Sequence, residues 1–133
     1  MKGGSTSGEI LALAEVPKIE INRIGLNLIG PNPPGAEEVK ASLVAAMAAA
    51  AAALGGAYDL VVLDEIITAC ALGLIFESEI LALLEAKANE VEVVLTGREA
   101  GEALIAKADL VTEMRLIKHP FDRGQKARAG IEF

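Results

Sequence analysis

Hydrophobic and polar positions along the chain form blocks that predict strands and helices in alternation. Residues 18–24, KIEINRI, alternate polar and apolar side chains, as a short strand with one buried face does. Two later segments are nearly continuous runs of Val and Leu, which is typical of strands buried inside a parallel sheet; these are YDLVVLDE at 58–65 and VEVVLTG at 91–97. DLVTEMR at 109–115 predicts a last strand.

Segments with helical character separate these strands. The Ala-rich residues 36–54 predict a long helix, with acidic residues in its first turn and a Gly-Gly pair directly after it. Residues 78–88 place their apolar side chains on one helical face, behind a capping serine at the first position. Thr96 and Glu99 have capping-box spacing and predict a third helix that continues to about Lys107. The order β-α-β-α-β-α-β predicts an α/β fold with parallel crossovers.

The composition describes a globular chain with few aromatic side chains. The 133 residues suit one domain over 1–133, and 53% are hydrophobic while only 3% are aromatic, so the core is expected to be aliphatic. The lone Cys70 cannot form an internal disulfide and is interpreted as a small core residue. No signal-peptide pattern opens the chain, and the uncharged residues 41–58 are too rich in Ala to enter a membrane. We therefore expect a soluble, cytoplasmic protein with no membrane contact.

The net charge of −7 conceals an asymmetry between the body of the chain and its end. Residues 1–114 hold 7 Lys/Arg and 17 Asp/Glu, whereas residues 115–133 hold 5 Lys/Arg and only 2 Asp/Glu. The acidic body argues against nucleic-acid binding, which needs a broad basic face. The basic C-terminal segment suits a compact anion such as a polyphosphate. It also suits a solvated tail that aids solubility, or a surface that contacts an acidic partner.

Functional residues of parallel sheets collect at the carboxyl ends of the strands, and three candidate groups are expected there. Asp64 and Glu65 end the run LVVLDE, where an Asp can orient Mg²⁺ through its waters and a neighbouring Glu can polarise a water or position a nucleotide. The alternative is a helix N-cap at the strand exit. Arg98, in LTGRE, stands near a predicted helix N-terminus and predicts an anion site. The alternative for Arg98 is a surface arginine beside an ordinary cap.

A third candidate group lies in the basic tail. Lys118, His119 and Asp122 lie close together around Pro120, which forces a turn, and a glycine farther on allows Lys126 to fold back. The His–Asp pair is either a catalytic dyad or, more often in a proline turn, a structural hydrogen bond. With one histidine and one cysteine in the chain, a His/Cys metal site is excluded.

Three stretches of the chain resemble one known family. YDLVVLDEI, VVLTGRE and the long string ADLVTEMRLIKHPFDRGQKARAGIEF resemble the ATP:corrinoid adenosyltransferases of the cobalamin pathway, the CobA/CobO/BtuR type. The similarity runs in order from Met1 to Phe133, and the opening MKGGSTSGE is similar to the segment that follows the family's second strand. The resemblance implies a parallel-sheet P-loop NTPase-like (RecA-like) three-layer fold, N-terminally truncated, and a homodimer.

The resemblance also implies an activity and roles for the candidate residues. The family transfers the 5′-deoxyadenosyl group of ATP to the cobalt of a reduced corrinoid, cob(I)alamin or cob(I)yrinic acid a,c-diamide, with Mg²⁺ as cofactor and release of triphosphate. By resemblance, Asp64 and Glu65 manage the Mg²⁺, and Leu26 and Leu28 form an apolar wall that faces the corrinoid. The residues that the resemblance places at the phosphates or ribose of ATP are Arg98, Lys118, His119, Asp122 and Lys126.

The sequence departs from the family pattern in three places. The Walker A loop, G-x-x-x-x-G-K-[ST], should lie upstream of Met1 and is absent, and with it the main phosphate cradle. Leu26 and Leu28 stand where the family commonly has aromatic residues, and Ile67-Thr68 where it often has Asn-Tyr. Three hypotheses stay open: an adenosyltransferase whose N-terminal segment lies outside the numbered chain, a catalytically degenerate paralogue that binds corrinoid or a partner subunit, and a RecA-like ATPase module.

Overall fold

A computed structural model of the chain describes residues 8–24, 33–126 and 128. The regular elements, in chain order, are α1 Gly8–Ala14, α2 Ala36–Leu54, β1 Leu60–Leu63, α3 Ile66–Ala71, α4 Glu77–Ala86, β2 Glu92–Leu95, α5 Glu102–Lys107 and a 3₁₀ helix Pro120–Arg123. Neither α1 nor α3 is predicted by the hydrophobic pattern. Both are short, at 7 and 6 residues, and pattern reasoning identifies longer helices best.

The chain divides into two compact units, one made of residues 1–23 and 112–133 and the other of residues 24–111. The first unit contains α1 and the 3₁₀ helix, and several of its large apolar side chains are exposed, Met114 most of all. The second unit contains the sheet, the other helices and the aliphatic core. The expectation of one domain over 1–133 stays a prediction.

In the second unit, β1 and β2 form a parallel two-stranded sheet. Leu60 lies opposite Glu92 and Leu63 opposite Leu95, so the two strands begin and end together. The connection between them contains α3 and α4, the kind of helical crossover that parallel pairing requires. The predicted α/β class with a parallel sheet is confirmed.

The two longest helices confirm the sequence pattern, with one correction. α2 begins and ends at the predicted residues, and the N–H of Gly55 donates to the carbonyl oxygen of Ala52 at 3.2 Å in its last turn. α4 begins one residue before Ser78, so the predicted serine cap is wrong. Phe76 occupies the N-cap position, and its N–H donates to the Glu79 carboxylate at 2.8 Å. Across the described residues, no helix is both long and apolar enough to span a membrane.

Two of the predicted strands do not form. Residues 18–24 and 109–115 belong to no sheet, because among the described residues β1 and β2 pair only with each other. A strand is stable only when a neighbour accepts and donates its backbone hydrogen bonds, and neither segment is paired with β1 or β2. The apolar side chains of the later segment are correspondingly exposed, with Leu110 at 84% of its full accessibility.

The core of the second unit is aliphatic, as the composition predicts. One cluster connects the end of α2 to the sheet, and a second connects α4 to α5. Their buried side chains are Leu54, Val61 and Val91 in the first cluster, and Ile75, Ile80 and Leu104 in the second. Cys70 is a free thiol, half-buried against the second cluster, which agrees with its interpretation as a small core residue.

The two faces of the sheet differ in cover. Val61 and its neighbours on one face pack against α2 and α4. The other face presents exposed apolar side chains, with Leu60 at 54%, Val62 at 52% and Val94 at 43% accessibility. Alternate positions of a strand point to opposite faces, so one-residue alternation along β1 separates the covered face from the exposed one.

Candidate functional site

The strands of the sheet end side by side, and the polar residues that follow them meet at that edge. Leu63 and Leu95 are paired as the last residues of β1 and β2, so the two chain exits are neighbours. The prediction that the Asp64-Glu65 pair and Arg98 follow strands at the same edge of the sheet is confirmed. The residues of this strand-exit site are Asp64, Glu65, Thr68, Thr96, Gly97 and Arg98.

Thr96 connects the two exits through its side chain. Its hydroxyl donates to Oδ1 of Asp64 at 2.7 Å and accepts the N–H of Glu65 at 2.9 Å. Its backbone is held as well, because its N–H donates to the carbonyl oxygen of Leu63 at 3.2 Å and its own carbonyl oxygen accepts the N–H of Ile67 at 3.1 Å. The Asp64 carboxylate is therefore attached to the neighbouring strand rather than left to rotate in solvent.

The predicted capping box of Thr96 and Glu99 is wrong. α5 begins at Glu102 with Gly101 at its N-cap position, six residues after Thr96. The threonine hydroxyl has bonded across the sheet, and the carboxylate of Glu77 accepts the N–H of Leu104 at 3.2 Å inside the first turn of α5. Glu77 of α4, rather than Thr96, thus accepts a backbone N–H from the first turn of α5.

Gly97 allows the closest approach within the site. Its φ is +141°, and a β-carbon at this position would lie 2.5 Å from the backbone nitrogen of Thr68 and 2.8 Å from Cβ of Ile67. No other residue type fits without displacement of the start of α3. Next along the chain, the N–H of Arg98 donates to the hydroxyl of Thr68 at 2.9 Å, a second threonine link between the two exits.

Two acidic residues of this edge have left-handed backbone conformations. Glu65 has φ +58° and Glu99 has φ +59°, one following each strand. The left-handed region costs a residue with a β-carbon about 1–2 kcal/mol. Such strain concentrates at active sites and ligand clamps, where the surrounding structure holds it in place.

An open cavity of about 270 Å³ lies within the second unit beside these residues. Asp64, Glu65 and Thr68 line it on one side, and the rest of the lining is almost entirely apolar. The other lining residues are Ile24, Val39, Ser42, Leu43, Ala46, Ala69, Leu72 and Leu74. Leu26 and Leu28, the predicted corrinoid-facing wall, lie outside the described residues.

The two carboxylates at the end of β1 fit a magnesium ion that is completed by water or phosphate. Both Asp64 and Glu65 are exposed, and among the described residues the Glu65 carboxylate and Oδ2 of Asp64 have no hydrogen-bond partner. Glu65 occupies the N-cap position of α3, but its side chain makes no capping hydrogen bond. Within the described part of the chain, no group of three His, Cys, Asp or Glu side chains can enclose a metal. Mg²⁺ does not need one, since it usually keeps waters and binds through one or two carboxylates and substrate phosphates.

Arg98 is the cation of the strand-exit site. It is exposed, and its guanidinium has no hydrogen-bond or ion-pair partner among the residues that the structure describes. The predicted support from a helix N-terminus is wrong, because α5 begins four residues later and its first turn already faces the Glu77 carboxylate. An anion at this position would therefore depend on the guanidinium itself, whose planar fork of donors suits phosphate oxygens.

The candidate residues of the tail lie in the first unit. Their predicted place at the end of a strand is wrong, because residues 109–115 form no strand. The N–H of Phe121 donates to Nδ1 of His119 at 3.1 Å, and the N–H of His119 donates to the Asp122 carboxylate at 3.3 Å. Each side chain thus bonds to backbone in a turn around Pro120, which supports the structural interpretation of the His–Asp pair over the dyad. Lys118 and Lys126 are exposed on either side of this turn.

Sequence reasoning identified both carboxylates and the arginine of the strand-exit site but missed the two threonines that link its segments. The local pattern favours a helix cap for Thr96, and the sequence marks Thr68 only as a departure from a family pattern. A signal was present in the sequence: in a parallel pair, the residue after one strand lies beside the residue after the other. LVVLDE and EVVLTG, aligned at their leucines, place Asp64 beside Thr96.

Comparison with known proteins agrees with the resemblance of the three sequence stretches. The sequence model of a family described as "ATP:corrinoid adenosyltransferase BtuR/CobO/CobP" matches residues 1–133. A corrinoid adenosyltransferase of Sinorhizobium sp is 53% identical over 75 residues, which cover 56% of this chain and 35% of that protein.

Two further relatives carry the same name. A corrinoid adenosyltransferase of Pseudomonas aeruginosa is 46% identical over 74 residues, which are 56% of this chain and 36% of the relative. The corrinoid adenosyltransferase CobA of Salmonella typhimurium is 37% identical over 75 residues, which are 56% of this chain and 38% of the relative. The chain spans little more than a third of the length of these curated relatives.

Proposed function

The chain belongs to the ATP:corrinoid adenosyltransferase BtuR/CobO/CobP family, and from this premise we propose that it transfers the 5′-deoxyadenosyl group of ATP to the cobalt of a reduced corrinoid. The role is in cobalamin biosynthesis or salvage, with cob(I)alamin or cob(I)yrinic acid a,c-diamide as the acceptor. In this transfer the electron pair of Co(I) forms the cobalt–carbon bond, and the C5′–oxygen bond breaks with triphosphate as the leaving group.

The observation that supports this function is the arrangement at the ends of β1 and β2. A carboxylate pair and a guanidinium without a partner in the described part of the chain lie at adjacent strand exits, at the edge of a parallel sheet where ligands of α/β proteins bind. This is the charge pattern that a metal–triphosphate complex requires, with acidic ligands for the cation and a cationic donor for the phosphates. Asp64 and Glu65 supply the first, and Arg98 supplies the second.

Mg²⁺, when bound, offsets the negative charge that builds on the leaving triphosphate. The chain's own residues have three tasks around it. The Asp64 and Glu65 carboxylates hold the ion or its waters, Arg98 donates hydrogen bonds to phosphate oxygens, and Thr96 keeps Asp64 in place. Because the nucleophile is a cobalt centre, the protein acts by position and charge and forms no covalent intermediate of its own.

The remaining assignments extend the same proposal. The exposed Lys118 and Lys126 contact the phosphates or ribose of ATP, with His119 and Asp122 shaping the turn that carries them. Leu26 and Leu28 face the corrinoid. These assignments are supported by residue chemistry and by the family to which the chain belongs.

The architecture we propose is a P-loop NTPase-like, RecA-like three-layer fold in a cytoplasmic homodimer. Its support is the sheet itself: β1 and β2 are parallel, one face is covered by α2 and α4, and the other face is apolar and exposed. A sheet with both faces apolar is typical of a layer packed between helices. Exposed strand edges also favour association between chains.

The second candidate is a catalytically degenerate paralogue that binds corrinoid or a partner subunit. The residues that favour it are Leu26 and Leu28, because an aliphatic side chain cannot stack on a planar ligand as the aromatic residues common in the family can. Ile67 favours it as well, since it stands where a polar residue is common.

Binding of tripolyphosphate with Mg²⁺ to the 133-residue chain tests the anion site. Arg98→Ala should weaken the affinity about 10-fold or more, because a hydrogen bond to a charged group is worth ~1.5–3 kcal/mol. Added salt should reduce the difference, since part of it is screened Coulomb attraction. Lys107→Ala is the matched control, because Lys107 is an exposed cation in the last turn of α5. Calorimetry that finds no binding to the parent chain, or equal affinities for both variants, would contradict the proposal.

A transfer assay separates the two candidate functions. The chain is incubated without oxygen with ATP, Mg²⁺ and chemically reduced cob(I)alamin, and the cobalt–carbon product is followed by its absorbance and its loss under light. Product that forms faster than in a protein-free control supports the transferase. Corrinoid binding without product favours the degenerate paralogue.

A further inference from the structure

The Thr96 hydroxyl forms two hydrogen bonds whose directions are unambiguous. An ionised aspartate only accepts hydrogen bonds and a backbone N–H only donates. The single proton of the hydroxyl therefore goes to Oδ1 of Asp64, at 2.7 Å, and its lone pair receives the N–H of Glu65, at 2.9 Å. The Thr96 side chain thus holds the side chain of Asp64 and the backbone of Glu65, the two candidate metal ligands.

Thr96 is itself well anchored. Its backbone N–H and carbonyl oxygen bond to Leu63 and Ile67, which lie on either side of the Asp64-Glu65 pair in sequence. It is half-buried, and its branched β-carbon restricts rotation about χ1. The hydroxyl is therefore a fixed point to which an otherwise exposed carboxylate is attached.

The bond to Thr96 also decides which atoms of the pair stay available. Oδ1 of Asp64 is engaged, while Oδ2 and the Glu65 carboxylate have no partner among the described residues. Glu65 has a left-handed backbone, a conformation that is unfavourable for a residue with a β-carbon. Its N–H bond to Thr96 helps to hold that conformation.

We propose that Thr96 is a positioning residue for the cation site: it does not touch the metal, but it holds Asp64 and Glu65 in the arrangement that binds Mg²⁺. This inference rests on the proposed function, in which these two carboxylates manage the ion. Hydrogen-bonded partners of metal-binding carboxylates fix the orientation of the ligand and typically contribute about 10–100-fold to metal affinity.

The competing role is purely structural, in which Thr96 only joins the two strand exits and stabilises the fold. Two substitutions distinguish the roles. Thr96→Val keeps the branched shape but removes the hydroxyl, whereas Thr96→Ser keeps the hydroxyl and removes the methyl group. Val93→Ala, on the same strand and packed against the first core cluster, is a control that weakens packing without touching the carboxylates.

The experiment measures binding of Mn²⁺, a paramagnetic substitute for Mg²⁺ with the same preference for oxygen ligands. The ¹⁵N-labelled 133-residue chain is titrated with MnCl₂, and broadening of the amide signals of Glu65, Gly97 and Arg98 gives a midpoint for this site. The free energy of unfolding of each variant is measured separately by urea denaturation. Comparison of the two quantities separates an effect on the site from an effect on the fold.

For Thr96→Val we expect a midpoint about 10-fold higher than in the parent chain, at the lower end of the effect of such partners. Thr96→Ser should restore the parent midpoint, and Val93→Ala should lower stability while leaving the midpoint unchanged. Thr96→Val with the parent midpoint, while Asp64→Asn raises it, would overturn the positioning role and leave the metal role of Asp64 standing. An Asp64→Asn variant that binds Mn²⁺ like the parent would overturn both.

Discussion

The interior of the second unit and its strand-exit site differ in polarity and in exposure, although β1 contributes a buried residue to the first and leads directly into the second. The interior is uniformly aliphatic: Leu54, Ile80 and Val91 are almost completely buried, and the described residues include no buried polar side chain. The strand-exit site is polar, and its carboxylates and Arg98 are exposed. Glu65 within it and Glu99 directly after it have left-handed backbones, and a β-carbon at Gly97 would collide with Thr68. Burial of the interior stabilises the fold, and this stability offsets the backbone strain of the charged residues at the strand exits.

The difference implies that the two regions respond differently to substitution. A change in the interior should lower stability and leave the chemistry of the folded molecule intact. A change at the strand exits should alter the site and, in one case, raise stability. Each of the following variants tests one side of this division.

Ile80→Ala should have the largest effect. Ile80 has 0% accessibility at the centre of the second core cluster, so its truncation should cost ~2–5 kcal/mol of unfolding free energy, the usual range for a buried isoleucine. Urea denaturation measures the loss. The Mn²⁺ midpoint of the folded fraction should not change, because no residue of the strand-exit site belongs to the buried side chains of that cluster.

Leu110→Ala is the control for this prediction, since Leu110 is 84% accessible and surface substitutions stay within about 0.5 kcal/mol. A cost for Ile80→Ala no greater than that of Leu110→Ala would mean that the second cluster does not stabilise the fold.

Gly97→Ala should have the next largest effect, about 2–4 kcal/mol, from a strained φ together with a forced contact. The new methyl group would meet the backbone of Thr68, which cannot move without the start of α3. Gly73→Ala is the matched control, because Gly73 also has a positive φ but has open space around its β-position. Urea denaturation of both variants compares the cost at Gly97 with that of a positive φ in open space. Equal losses would show that the approach to Thr68 is not tight.

Glu65→Gly should have the smallest effect and the opposite sign. Glycine adopts a left-handed conformation without strain, so the variant should gain about 0.5–1 kcal/mol of unfolding free energy after its own entropy cost. At the same time its Mn²⁺ affinity should fall, because a proposed ligand is lost. Stability that rises while metal binding falls is the trade-off expected where strain serves function.

Glu37→Gly in the first turn of α2 is the control for this prediction. Glu37 is helical and favourably placed for the helix dipole, so its replacement by glycine should destabilise the chain by about 1 kcal/mol. If Glu65→Gly also lowers the free energy of unfolding, the left-handed backbone at residue 65 does not destabilise the parent chain.

The fold could be predicted where the local pattern is strong, and the errors have one origin. The bounds of α2 follow from its Ala-rich run. The Val/Leu-rich runs predict the two paired strands, but Leu60–Leu63 and Glu92–Leu95 are shorter than the predicted 58–65 and 91–97. Residues 18–24 and 109–115 also have a strand-like pattern, but neither segment is part of the sheet that the described residues form. The β-propensity of a segment indicates that it can fit into a sheet, but it does not indicate whether a strand edge is available to pair with it.

The candidate site shows the same division at the level of single residues. Asp64, Glu65 and Arg98 could be found because strand ends of α/β sheets carry function, and a one-dimensional sequence shows where strands end. The role of Thr96 could not be found from its neighbours in sequence. Its spacing to Glu99 fits a local capping box, and only the pairing of β1 with β2 reveals the stronger acceptor, an ionised carboxylate.

Local sequence accounts for the secondary-structure elements and for the composition of the core: a long Ala-rich helix, two β-branched runs that form the strands, an aliphatic interior, and acidic residues where a strand ends. These follow from short-range propensity and composition, which each segment carries with it. The tertiary structure alone decided which β-prone segments pair, where α5 begins, and that Thr96 holds Asp64. Those outcomes depend on groups such as Thr96 and Asp64, 32 residues apart, whose hydrogen bond exists only after the strands are in register.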